Sequence, residues 1–109
     1  MPYDEKLAER VRALFQSEPG CTERKLFGGI CFMVGGNMAV GITGSDLMVR
    51  PGPDDFEDAL GLPHARPMDF TGRPMKGFVY VEPAGTATDA ALAEWVERGA
   101  RFARSLPAK

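Results

Sequence analysis

From Glu23 to Ile42, apolar residues and glycines alternate at hairpin spacing, and no other segment limits the fold so tightly. Ile30, Phe32 and Val34 alternate with Cys31 and Met33, Gly35-Gly36-Asn37 tolerates positive φ, and Met38, Val40 and Ile42 alternate with Ala39 and Gly41. A period of two predicts a β-hairpin. Thr43-Gly44-Ser45-Asp46 makes a second turn and Leu47-Met48-Val49-Arg50 a third strand, so the segment reads as an antiparallel meander. Lys25-Leu26-Phe27 reads as a short strand before it, with Gly28-Gly29 fitting a bulge or sharp bend.

Both ends of the chain switch to a helical period. Leu7, Val11, Leu14 and Phe15 share one face of a helix expected from about Tyr3 to Ser17, halted by Pro19-Gly20. Leu92, Trp95, Val96, Gly99, Phe102, Ala103 and Leu106 repeat in the same way, with Thr88 placed to cap the start and Pro107 to end it. On its outer face Glu94 precedes Arg98 and Glu97 precedes Arg101 at i, i+4, which reads as a solvated surface.

In the centre, Pro51-Gly52-Pro53 breaks the meander and Asp54 to Leu60 predicts a short helix ending near Gly61. Three prolines with Gly72 between Pro63 and Pro74 argue against a long regular element there, although Met68-Asp69-Phe70 has the character of a brief pairing. Phe78-Val79-Tyr80-Val81 is the last strand. The order helix, strands, short helix, strand, helix specifies a two-layer α+β fold, a mainly antiparallel sheet covered by the N- and C-terminal helices. With 109 residues the chain forms one domain, residues 1–109, and has no room for a second.

A covered sheet leaves its other side to be explained. If Ile30, Phe32, Val34, Met38, Val40 and Ile42 face the helices, the reverse face presents Cys31, Met33, Ala39, Gly41 and Met48, too apolar to be fully wetted. Two readings stay open: a homodimer or protein-partner interface, and closure by the loop from Gly61 to Gly77. A bulge that shifts the register by one residue would change these assignments.

At these residues the chain resembles the TfoX/Sxy family. Lys25-Leu26-Phe27-Gly28-Gly29, the strand after it, Gly36-Asn37-Met38, the second strand, and Arg73-Pro74-Met75-Lys76-Gly77-Phe78 are similar to the N-terminal domain of those regulators, which are associated with natural competence. The likeness covers most of the chain. It implies an α+β fold like that of secretion-chaperone-like domains, often dimeric, with no catalytic residue to carry over. The chain then corresponds to the N-terminal domain without the C-terminal helical domain of full-length members.

The remaining chemistry is sparse. Arg50, His64, Arg66, Arg73 and Lys76 are the best candidates for a phosphate or carboxylate site, if the sheet gathers them. The plainer reading pairs Arg66, Arg73 and Lys76 with Asp54, Asp55, Asp58 and Asp69. His64 is the only histidine and neither Cys21 nor Cys31 stands at ligand spacing from it, so neither a metal site nor a cofactor is expected. Catalysis by His64 would need an orienting acid, for which Asp69 is the nearest downstream. Two cysteines without a C-x-x-C pair read as free thiols.

Phosphate-loop, dinucleotide, nucleophile-elbow and zincin motifs do not occur. Net charge is −2, which weighs against nucleic-acid binding through Arg24, Lys25, Arg73 and Lys76 with Phe27, Phe70 or Phe78 as stacking groups. There is no basic, apolar N-terminal leader and no membrane-length apolar run, so a cytoplasmic location is expected. The sequence predicts a small interaction or regulatory domain without catalysis, the alternative being a binder of, or enzyme on, an anionic ligand.

Overall fold

The computed structural model of the protein describes residues 3–26, 28–69 and 74–108, with the side chains of residues 26, 68, 69 and 74–76 outside that description. Its elements run α1 (Glu5–Leu14), β1 (Cys21–Leu26), β2 (Gly29–Val34), β3 (Asn37–Thr43), β4 (Asp46–Val49), α2 (Phe56–Leu60), β5 (Ala65–Asp69), β6 (Pro74–Val81), a 3-10 turn (Pro83–Thr86) and α3 (Asp89–Ser105). The strands form one antiparallel sheet in the order β1-β2-β3-β4-β6-β5. This is the expected α+β architecture.

The helices start where side chains replace missing backbone partners. Asp4 accepts hydrogen bonds from the amides of Lys6 and Leu7 at the start of α1, and Thr88 accepts one from Ala91 at the start of α3, as its position predicts. The first helix is shorter than the apolar period suggests and ends before Phe15. Leu14 consequently stays 44% exposed, while Leu7, Ala8, Val11 and Phe15 enter the core. Phe15 stacks on Phe32 with ring centroids 5.8 Å apart, joining the end of α1 to the centre of β2.

The largest difference from expectation is β5. Pro67 does not prevent a strand there, because an edge strand needs backbone donors on one side only. Ala65, Arg66 and Pro67 pair with Val81, Tyr80 and Val79, so residues 65–69 extend the sheet instead of folding beneath it. Leu62, just before it, packs into the helix-side core with Phe56 and Leu60 of α2. The reading in which this loop closes the reverse face therefore fails for the described residues up to 69, and residues 70–73 lie outside the description.

One main cluster lies between the sheet and the helices, with Phe32, Val40, Ile42, Leu47, Val49, Val79 and Val81 from the strands and Leu7, Val11, Leu92, Trp95 and Val96 from the helices. A bulge in β3 reshapes it. Phe32 pairs with Val40 but Met33 pairs with Met38, which leaves Ala39 as the extra residue. Ala39 joins Val40 in the helix-side core, fully buried, and Met38 turns to the reverse face, opposite to the strict alternation read from sequence.

The same backbone meets α3 at Gly99. A Cβ on Gly99 would lie 2.2 Å from the carbonyl oxygen of Ala39, so glycine sets the closest approach of helix and sheet. At the hairpin tip Gly35 and Gly36 both have positive φ, 61° and 83°, as a tight two-residue turn requires. Among the described residues no helix is long and apolar enough to cross a membrane.

Candidate functional site

All three helices lie on one side of the sheet, and the candidate site is the other. Cys31 and Met48 form a second cluster there, 3% and 4% exposed, against which half-buried Met33, Met38, Phe78 and Tyr80 pack. Among the described residues, only strand side chains contribute to it. The register explains the grouping. Cys31 is opposite Gly41, Gly41 opposite Met48, and Met48 opposite Tyr80, while Met33 and Met38 face each other.

Gly41 makes room at the centre. Where its Cβ would stand, the Met48 methyl is 2.6 Å away and the Cys31 sulfur 3.3 Å, so these two side chains lean over the bare glycine. Thr43 Oγ1 donates to the Met48 sulfur at 3.3 Å, fixing the thioether from the strand edge. Burial pushes the Cys31 thiol above its ordinary pKa, which keeps it protonated and unreactive as a nucleophile. The Cys21 thiol, on the helix side of β1, is also raised, first by burial and then by Glu23 and Glu18.

Cations flank this apolar centre. Arg66 pairs with Asp46 at 2.5 Å and lies over the Tyr80 ring, 4.6 Å from its centroid. Arg50 lies over Phe78 at 5.6 Å and over Phe102 of α3 at 5.1 Å, so it bridges the sheet and the last helix. Arg24 on β1 is opposite Cys31 and exposed. Both described aromatics of the face thus carry a guanidinium.

Among the described members of the predicted anion cluster, His64 stands apart from Arg50 and Arg66. Arg50 and Arg66 occupy separate aromatic rings, and His64 stands instead beside the 3-10 turn and α3, in a cleft of about 610 Å³ with Leu62, Gly85, Trp95, Arg98 and Arg101. His64 holds a left-handed φ of 69° and donates no side-chain bond among the described residues; its carbonyl accepts from the Glu82 amide at 2.9 Å. Arg73 and the side chain of Lys76 lie outside the described residues. The expected local partners also change, since Arg66 takes Asp46, and Asp55 is taken by Arg98 at 2.6 Å.

Of the predicted interface residues, Cys31, Met33 and Met48 lie on the reverse face. Ala39 does not. Met38, Phe78 and Tyr80 were the residues missed, and the signal for the last two was the alternation within Phe78-Val79-Tyr80-Val81, which puts both rings on one side. The helix surface likewise exchanges its predicted partners: Arg104, not Arg101, pairs with Glu97 at 2.9 Å, and it reaches Glu18 at 2.7 Å. Arg104 lowers the Glu97 carboxyl and is itself raised by the two carboxylates.

The arrangement defines an open-faced α+β domain whose most distinctive surface is a sulfur-rich apolar sheet face rimmed by arginines. Among the described residues, no three His, Cys, Asp or Glu side chains converge as a metal site. The family model of the TfoX N-terminal domain matches residues 13–103, and the chain belongs to that family. No curated protein and no solved structure matches the chain.

Proposed function

We propose that the protein is a non-catalytic interaction domain that pairs with a second copy of itself through the uncovered sheet face, and that any regulatory role proceeds through such contacts. The observation that carries this reading is the Cys31–Met48 cluster, nearly buried already in one chain and bordered by half-buried Met33, Met38, Phe78 and Tyr80. A two-fold axis would set this patch against itself, removing apolar area from water at about 25 cal/mol per Å². Methionine suits such a surface because its unbranched thioether adapts to an irregular partner.

The rim favours protein contact over base stacking. Phe78 and Tyr80 would be natural platforms for nucleobases, but Arg50 and Arg66 already lie over them, and Arg66 is further held by Asp46. An anionic ligand on Arg50, His64, Arg66, Arg73 and Lys76 has weaker support, since His64 opens into a different cleft from the two described arginines. A localisation in the cytoplasm fits the free thiols Cys21 and Cys31.

Light scattering at micromolar concentration tests the reading. A mass of two chains is expected, falling to one chain on dilution. A strict monomer up to high concentration would contradict it. Salt-sensitive binding of a single-stranded oligonucleotide would instead favour the nucleic-acid reading.

A further inference from the structure

Arg50 differs from the other arginines in what surrounds it. Arg10, Arg12, Arg66, Arg98 and Arg104 each meet a carboxylate. Arg24 and Arg101 have no such partner among the described residues, but both are exposed, where water solvates the charge. Arg50 is half-buried and, among the described residues, also without a carboxylate. A cation drawn partly out of water is costly unless something compensates it. The rings of Phe78 and Phe102 attract its charge, yet neither offers an oxygen to the guanidinium N–H donors.

The fold holds this guanidinium in place from three directions. The Arg50 amide donates to the carbonyl of Ala39, the extra residue of the bulge, at 3.1 Å, which anchors the chain just after β4. Gly99 lets α3 approach the same carbonyl, and three residues later Phe102 brings its ring to 5.1 Å from the guanidinium carbon. Gly52 makes room for that ring. Its φ is 89°, and a Cβ there would run into Phe102, so glycine is required on both counts. Phe78 of β6 supplies the second ring at 5.6 Å, and the side chain is oriented by sheet and helix together.

We propose that Arg50 is a binding site for an oxyanion, a carboxylate or phosphate group, received by the guanidinium through paired charge-assisted hydrogen bonds. Arg66 is the internal comparison. It lies over the Tyr80 ring in the same way, and Asp46 supplies its carboxylate from within the chain. At Arg50 the rings belong to the protein and the oxyanion comes from a ligand. Because the rings and the bulge set the guanidinium beforehand, little side-chain freedom is lost on binding, which favours affinity. The site is narrower than the five-residue cluster expected from sequence: it uses neither His64 nor Arg66, and it lies within one chain.

The side-chain Nε–H resonance of Arg50 in the isotope-labelled full chain reads the site directly. Sodium phosphate and sodium acetate are the probes, each titrated at constant ionic strength made up with sodium chloride so that screening stays fixed. A saturable shift at Arg50, well above the shifts at Arg24 and Arg101, is expected, and the anion that produces it assigns the ligand as phosphate, carboxylate or either. Arg50→Lys keeps the charge and loses the fork. Anion affinity, followed by the ring protons of Phe78 and Phe102, should then fall by at least about tenfold. Shifts at Arg50 no larger than those at Arg24 and Arg101 would mark a diffuse attraction to the surface and overturn the site. An affinity unmoved by Arg50→Lys would overturn it as well. The Nε–H titration needs no variant, so it decides the matter even where Arg50→Lys fails to fold. It follows one side chain, and its outcome is separate from the mass measurement that tests self-pairing.

Discussion

The two faces of one sheet are both apolar but are built from different residue types. On the helix side Phe32, Val40, Ile42, Leu47, Val49, Val79 and Val81 are β-branched or bulky and almost fully buried. Across the same strands the reverse face offers Cys31, Met33, Met38, Gly41 and Met48 with Phe78 and Tyr80, softer, more flexible and bordered by arginines. Stiff side chains specify one internal packing, whereas methionines are able to adapt to a second surface such as the proposed partner copy. If the reverse face is the proposed interface, hydrophobicity alone does not separate it from the core, and side-chain stiffness and the charge at the rim do.

The sharpest way to break that contrast is to remove volume from the helix side. Phe32→Ala deletes a fully buried ring stacked on Phe15 and should cost about 4 kcal/mol of stability, read by chemical denaturation. Gly99→Ala comes next. Its Cβ would collide with the Ala39 carbonyl, so α3 must lift from the bulge at a cost of about 2 kcal/mol, visible as a lowered unfolding midpoint.

On the reverse face the same measurement should barely move. Met33→Glu sits at a half-buried position and is expected to change monomer stability by less than about 1 kcal/mol while abolishing the dimer. A monomer destabilised as much as by Phe32→Ala would show that the reverse face belongs to the core.

The smallest effect concerns the surface pair between α1 and β1. Arg12 holds the Glu23 carboxyl below its ordinary value, with Nε to Oε2 at 2.6 Å. A lowered carboxylate contributes stability above its unfolded pKa of 4.5, and loses that contribution as pH falls through the still lower folded value. Both side chains are partly exposed, so Glu23→Gln should cost only about 0.5 kcal/mol at pH 7, and the cost should shrink as pH falls through the lowered folded value, followed by thermal unfolding against pH.

Much of this contrast was legible in the residues. Alternation in Ile30 to Val34 and the tight Gly35-Gly36 turn fix the hairpin, and the 3.6-residue period of Leu92 to Ala103 fixes α3. The family resemblance drawn from the glycine-flanked segment holds across residues 13–103. What the sequence hid is longer in range. The bulge at Ala39 exists because two strands of unequal count are held in one sheet, and nothing local to Met38-Ala39-Val40 announces it. Pro67 suggested a loop because the edge position that excuses a proline is a property of the whole sheet. Charge partners were the least legible. Arg66 finds Asp46 and Arg98 finds Asp55 through strand order and helix docking, not through neighbouring positions.

The central claim, that the reverse face is the working surface, is tested most directly by sedimentation of three proteins side by side: the natural chain, Met33→Glu, and Leu14→Glu. Leu14 is the one large apolar side chain exposed among the described residues, and it lies on α1 in the opposite layer. The account predicts a concentration-dependent dimer for the natural chain and for Leu14→Glu, and a monomer for Met33→Glu. A dimer that survives Met33→Glu but is lost in Leu14→Glu would contradict it.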